Sequence, residues 1–303
     1  TGNLAVSYQG TAAGVGALTN QYVGVVDNFG ESQKVVITGA TYAYANPAAT
    51  STTTIYTHVG QPATDSVVTL KNDTTTNVNF TESLSATVNN TTGIVTAAAD
   101  TASNIAGGGT QNLNVTVNSA TAGAQSGTVV YDTLSHEVAG TGLGDTSMGT
   151  VSATVNAEFY NYAEADFQKA SGNGTLSQTG LTYTIDFGNV LKDSGTRTMD
   201  LNLLNIGGTT FTDFLTGIFS GTLASPFSSD FADISNANGI GGGLSQLFHV
   251  YFDSSQTARH WSTSITFNPS SYNALISPNS SALPQITLVI RGIITISEPA
   301  TLW

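Results

Sequence analysis

The sequence predicts an all-β chain built as two tandem β-sandwiches behind an N-terminal β extension. Three observations predict this. Apolar and polar residues alternate in short runs along most of the chain, which is the period of a half-buried strand. Clusters of Gly, Asn and Ser separate those runs, as turns separate the strands of a sandwich. One set of strand motifs also occurs twice, so each half reads as a unit.

The N-terminal extension covers residues 1–34. Leu4-Ala-Val-Ser-Tyr8 alternates like a strand, Gly10–Gly16 is small and flexible, and Val23-Gly-Val-Val26 is a second strand candidate. Strands of the first sandwich, residues 35–145, are expected at Val35–Tyr44, Ser66–Leu70, Asn112–Val117 and Gly127–Tyr131. Those of the second, residues 146–296, are expected at Thr150–Phe159, Leu181–Phe187, Arg197–Leu204, Leu247–Phe252, Ser262–Phe267 and Ile286–Ile296. Thr212–Phe219 and Phe227–Ser235 are weak helix candidates, aromatic-rich and equally readable as loops or irregular strands. Residues 297–303 form a C-terminal tail.

The repeat sets the division into halves. Val36–Ala45, ending Tyr-Ala-Tyr-Ala, resembles Val151–Ala163, ending Tyr-Asn-Tyr-Ala. A paired motif follows each. It is Ile55–Gly60 with Ser66–Asn72 in the first half, and Ile185–Val190 with Arg197–Asn205 in the second. Each half then carries an expected late hairpin, Leu113–Tyr131 or Phe248–Phe267, and a closing strand that holds Gly140 or Gly292. The Gly/Thr/Ser-rich stretch Gly140–Thr150 marks the boundary.

Composition narrows the function classes. Hydrophobic residues make up 40% of 303 residues, enough to bury a core. Charged residues make up only 9%, against roughly 25% in an average soluble domain. Thr, Ser, Asn and Gly take their place; Thr in particular suits solvent-facing strands. Few charges also leave little to keep sheet edges apart. With a net charge of −13 and seven Lys plus Arg, no basic patch can release counterions from nucleic acid or bind an anionic membrane. The absence of cysteine excludes disulfides and thiolate metal sites. No apolar run is long enough for a membrane-spanning helix. No signal peptide is visible, so export implies a processed form.

Reactive constellations are sparse, and the chain is not expected to be an enzyme or to hold a cofactor. None of His58, His136, His249 and His260 stands in a metal-like pair with another. His249 and His260 are expected to face each other across the late hairpin with Asp253 nearby, and a surface cross-strand pair explains that better than a metal. No nucleophile elbow is present. Glu158, Glu164, Asp166 and Asp186 cluster in sequence, but nothing builds the cleft a glycosidase pair needs. Asp27–Glu31 and Asp230–Asp233 offer oxygen ligands without following a calcium loop. Gly239–Gly243 lacks the Lys of a phosphate loop and reads as a turn. Tyr42, Tyr44, Phe159, Tyr160 and Tyr162 would serve as a carbohydrate strip or, the preferred reading, as packing. Sequons such as Asn79, Asn89, Asn90 and Asn114 are expected by chance in so Thr/Asn-rich a chain.

The order of motifs resembles a known family. Ile185-Asp-Phe-Gly-Asn-Val190 followed by Arg197–Gly207 looks like the choice-of-anchor D type of bacterial immunoglobulin-like domain. Tyr56–Gly60 with Val68–Asn72 is a looser first copy, and Gly107–Val117 and Ala122–Val130 fit that family's late strands. The resemblance covers roughly Val35 to Ile296 and implies immunoglobulin-like sandwiches. Ser297-Glu-Pro-Ala-Thr-Leu302 is similar to the start of a PEP-CTERM sorting signal, with Glu298 and Pro299 as the matching residues. Ser297 stands where that family has its first Pro, and the apolar span and Arg cluster are absent. It implies a Gram-negative secretory route and a place at the cell surface or in extracellular polymer.

The expected function is therefore an exported structural protein that assembles head to tail. A strand of one copy would complete a sheet edge of the next, with Leu4, Val6 and Tyr8 as anchors and Val23 and Val25 as a second set. The expected partners are other copies of the chain, with extracellular polysaccharide as a further candidate. The alternative is a surface-anchored adhesin or polysaccharide-binding module that does not polymerise.

Overall fold

A computed structural model describes residues 14–18, 21–27, 29–75, 77–98, 101–139 and 141–297. The all-β class is what it shows. Among the described residues, strands dominate, and short 3-10 turns occur at Val78–Phe80 and Asn236–Asn238. No helix among them is long and apolar enough to cross a membrane.

Four short strands come first: β1 (Gly16–Ala17), β2 (Gln21–Val26), β3 (Ser32–Ile37) and β4 (Ala40–Thr41). β1 pairs with β4, while β2 and β3 form a separate two-stranded antiparallel ribbon. Val23 lies opposite Val35, so the ribbon crosses the 34/35 boundary expected from the sequence. Val35–Tyr44 is therefore not one sandwich strand. Its first part closes the ribbon because Asp27 builds a tight turn, its carboxylate accepting the amides of Phe29 (2.8 Å) and Glu31 (2.9 Å).

The chain divides into two compact units, and the ribbon falls within the first. One takes in the described residues of 1–55, 60–119 and 124–157; the other takes in those of 56–59, 120–123 and 158–303. The strands that follow are β5 (Pro47–Ser51), β6 (Thr54–His58), β7 (Ala63–Asn72), β8 (Ser83–Gly93), β9 (Val95–Ala98), β10 (Ala102–Ile105), β11 (Thr110–Val117), β12 (Gly123–His136) and β13 (Thr146–Tyr160). They make one sheet in the order β10-β8-β12-β13-β6 and another in the order β5-β7-β11-β9. Alternate residues turn inward, among them Val68 and Leu70 on β7, Leu113, Val115 and Val117 on β11, and Val129 and Tyr131 on β12.

The second unit holds β14 (Ala165–Gly172), β15 (Thr175–Thr179), β16 (Thr182–Leu191), β17 (Arg197–Asn205), β18 (Phe214–Ser220), β19 (Phe227–Ser229), β20 (Ser245–Phe252), β21 (His260–Tyr272), β22 (Ser281–Ala282) and β23 (Ile286–Thr295). Its sheets run β14-β17-β20-β19 and β15-β16-β23-β21-β18, with β22 on β21. The pair β16–β23 is parallel. Leu201, Leu203, Phe248 and Phe252 from one sheet pack with Ile185, Phe267, Leu288 and Ile290 from the other in one core. Each such side chain contributes about 1.5–3 kcal/mol on full burial.

Of the two alternatives open for the aromatic-rich segments, helix gives way to strand and loop: Thr212–Phe219 runs into β18, and Phe227–Ser235 is β19 followed by an irregular stretch, with Phe219 and Phe227 in ring clusters. One further expectation is corrected: the late hairpins are not hairpins. β11 pairs with β7 and β9, whereas β12 belongs to the opposite sheet. Likewise β20 pairs with β17 and β19, and β21 with β18, β22 and β23. Both connections are arches that cross between layers. Alternation reports which face of a strand is buried, not which sheet the strand joins.

The repeat recurs at the level of single hydrogen bonds. Ala45 N donates to Ser135 Oγ at 2.8 Å, and Ser135 Oγ donates to Glu82 Oε2 at 2.7 Å. Ala163 N donates to Ser271 Oγ at 2.8 Å, and Ser271 Oγ donates to Asp213 Oδ2 at 2.7 Å. Asn72 Nδ2 spans the carbonyls of Glu82 and Ile105, as Asn205 Nδ2 spans those of Asp213 and Ile240. Their side-chain oxygens take the amides of Asn46 and Glu164. Single parallel bridges join Ala43 to Thr81 and Asn161 to Thr212. All four of Glu82, Ser135, Asp213 and Ser271 are buried. Buried polar groups hold their place only when hydrogen bonded, and here the same knot ties the same corner of each unit.

Candidate assembly surface

The ribbon leaves apolar side chains uncovered on both faces. Directly opposed residues of an antiparallel pair share a face, and faces alternate along each strand. Val23, Val25, Val35 and Ile37 therefore lie on one face, and Tyr22, Val26 and Val36 on the other. Tyr22, Val25, Val26, Val35 and Val36 are exposed, from 41% at Val25 to 69% at Val36, while Val23 and Ile37 are half-buried. Lys34 sits 4.5 Å over the Tyr22 ring, its ammonium on the ring face. Phe29 projects from the turn at 84% exposure. A two-stranded ribbon is marginal in water by itself, and it becomes stable when a further strand or layer covers it. Among the described residues, each strand also keeps one edge unpaired.

Of the sequence-predicted assembly residues, Val23 and Val25 fall together on one ribbon face. Leu4, Val6 and Tyr8 lie outside the described residues, as do Glu298 and Pro299 of the sorting motif.

The residues weighed for chemistry are committed elsewhere. His249 and His260 do not face each other, because β20 and β21 belong to opposite sheets. His249 Nδ1 meets Asp230 Oδ2 at 2.6 Å, and its amide donates to Asp230 Oδ1 at 2.6 Å. Its Nε2 lies 3.7 Å from Asp200. The hydrogen bond to Asp230 raises the His249 pKa above its ordinary value. Burial pushes Asp230 up, but the amide and ring of His249 outweigh it and hold the carboxyl below the usual range. His136 bridges Asp145 (2.8 Å) and Ser85 (2.6 Å).

The buried Asp213 of the second unit accepts from Ser271 (2.7 Å) and Asn273 (3.0 Å), and pairs with His58 Nε2 (2.8 Å). His58 in turn stacks on Tyr162, with ring centroids 3.9 Å apart. Serine, histidine and aspartate do meet here, but not as a nucleophile relay. Ser271 and His58 both turn to the same carboxylate oxygen, whereas catalysis needs the base on the hydroxyl.

The acidic cluster is dispersed. Glu158 accepts the Tyr160 hydroxyl at 2.7 Å; burial, then this bond, raises the phenol pKa. Asp166 accepts the Tyr183 hydroxyl at 2.6 Å, and burial followed by that bond pushes Tyr183 up to about 12. Asp186 pairs with Arg291 at 2.9 Å. Among the described residues, no group of three or more His, Cys, Asp or Glu is placed to hold a metal ion. Of the aromatic strip, Phe159 is in the core. Tyr42 packs on Phe80 and Tyr160 on Phe211. Gly239–Gly243 forms the turn whose carbonyls and amides receive Asn205.

Hydrophobic periodicity does not point to the knot residues, but the sequence carries a signal for them. Phe80-Thr81-Glu82 and Phe211-Thr212-Asp213 are a repeated triplet, and Ile105 and Ile240 each precede a glycine run.

No protein-family model matches the chain, and no curated protein matches it. Solved structures do align with it. A Porphyromonas gingivalis protein of unknown function is 13% identical over 81% of this chain and 96% of its own, with a TM-score of 0.27. A marsupial T cell receptor is 13% identical over 85% of this chain and 76% of its own, at 0.33. The CFA/I adhesin of enterotoxigenic E. coli is 10% identical over 94% of this chain and 93% of its own, at 0.30. At such scores they carry no functional argument.

Proposed function

We propose that the chain is an exported structural protein of the bacterial surface or extracellular matrix. It assembles head to tail into a filament by β-strand addition through its N-terminal β segment. The observation that carries this reading is the ribbon of β2 and β3, apolar on both faces and part of neither sandwich sheet. A second copy that covers it removes apolar area from water at about 25 cal/mol per Å². A heterologous contact of this kind propagates into an open filament when its rotation does not close a ring. Low charge supports the same reading, since little on the surface repels a neighbouring edge. Export rests on the resemblance to a sorting signal around Glu298 and Pro299.

Sedimentation velocity of the chain with and without residues 1–38 tests this. The full chain is expected to sediment as a concentration-dependent series of oligomers, and the truncated chain as a folded monomer. A full chain that stays monomeric at high concentration overturns the reading.

One observation favours a polysaccharide-binding module as the second reading. A cleft of about 400 Å³ in the second unit is lined by Asp186, His260, Trp261 and Arg291, an aromatic and charged set that suits sugar hydroxyls. Binding of a strict monomer to glycans, lost in Trp261→Ala, would favour it.

A further inference from the structure

The second unit carries an open groove between its two sheets. β14 is the outer strand of one sheet and β15 the outer strand of the other, and the two are joined by a tight turn at Gly172–Gly174. Between them lies a depression of about 310 Å³. It continues into a second of about 420 Å³ that shares Asp166, Gln178 and Tyr183 with the first. The floor is core: Phe167, Tyr183 and Ile286 are nearly fully buried. Leu181 and Ile206 stand on the rim, 50% and 47% exposed. Apolar side chains in a cleft flanked by strand edges that are unpaired among the described residues are what an incoming strand recognises.

We propose that this groove is the acceptor for residues Leu4–Tyr8 of a second copy of the chain. The inference rests on the assembly reading above and names its acceptor. The segment fits in three respects. It is five residues long, as is β15, so both extend about 17 Å. Leu4, Val6 and Tyr8 recur every second residue and so face one side. No Asp, Glu, Lys or Arg precedes Asp27, so insertion takes no charged side chain into the groove.

The edge it joins is that of β15, Thr-Leu-Ser-Gln-Thr, which bears no charge. The edge of β14 carries Lys169, whose ammonium donates to Gly174 O at 2.7 Å, and edge lysines discourage pairing. Leu4, Val6 and Tyr8 then cover the floor, and the main chain satisfies the free groups of β15.

The test uses full-length variants. Val6→Asp disables the donor and leaves the groove. Leu181→Lys with Ile206→Lys disables the groove and leaves the donor, and both sites are exposed enough to keep the fold, checked by circular dichroism. Each variant alone is expected to sediment as a monomer, and an equimolar mixture as a species of two chains. The cysteine-free chain permits a second arm: Val6→Cys combined with Gln178→Cys, which shares the inward face of Leu176, is expected to give a ladder of disulfide-linked multimers on a non-reducing gel. Wild-type chains that assemble while both variants do so equally, with no ladder, overturn the groove but leave the assembly reading standing. Wild-type chains that never assemble overturn both.

Discussion

Ser271 and the buried carboxylate of Asp213 lie 2.7 Å apart, and the same serine accepts the amide of Ala163. Ser135 stands in the same relation to Glu82 and Ala45 in the other unit. Removing either hydroxyl strands an amide in the interior and takes a hydrogen bond from the buried carboxylate, although Asp213 Oδ2 keeps His58. Ser271→Ala is expected to destabilise its unit by about 1–3 kcal/mol, and Ser135→Ala to do the same to its own. Urea unfolding of each variant checks this. A loss confined to one unit's transition is expected, and an unchanged midpoint would contradict the structural role given to the knot.

The pair of His249 and Asp230 gives a pH dependence whose direction follows from the two shifts. The His249 pKa is raised above 6.5. Its contribution is complete below that value and is lost as pH rises through the raised pKa. Asp230 is lowered below 3.8. Its contribution is complete above that value and is lost as pH falls through the lowered pKa. The pair is therefore strongest between about pH 4 and 6.5. An NMR titration of the His249 ring should find a midpoint above 6.5 that moves down in Asp230→Asn. A midpoint that ignores this substitution would refute the coupling.

Gly292 sits against the Phe252 ring, and a Cβ there would lie 2.7 Å from the ring edge. Phe252 is fully buried, so it cannot swing away. Gly292→Ala is expected to cost about 1–3 kcal/mol by overpacking and to lower the melting temperature of the second unit. Phe252→Leu in the same chain should recover part of that loss. If Gly292→Ala melts like the wild type, the close approach is not a constraint.

Val23 and Val35 face each other on one side of the ribbon. The double variant Val23→Lys, Val35→Lys is expected to abolish self-association while leaving circular dichroism and both unit stabilities unchanged. Light scattering across a concentration series reads the first effect. Assembly that survives both charges would remove this face from the account.

Much of this fold is legible in the sequence, for physical reasons. β11, β20 and β23 alternate cleanly because one face meets a core and the other does not. β14 and β15 are mostly exposed edge strands, so they lack that contrast. β18 buries three consecutive residues, Leu215 to Gly217, with Gly217 against Phe267, which erases the alternation. Layer crossing at β11–β12 and β20–β21 is invisible to periodicity, and so the His249–His260 pairing failed. The knot is a matter of polar residues with no period at all. Only comparison of the two halves, Phe-Thr-Glu with Phe-Thr-Asp, exposes it.

Negative-stain electron microscopy of the purified chain, beside the chain lacking residues 1–38, decides whether the N-terminal β segment builds a filament. The intact chain is expected to form unbranched filaments and the truncated one isolated particles. Isolated particles from both, or filaments from both, would contradict that role.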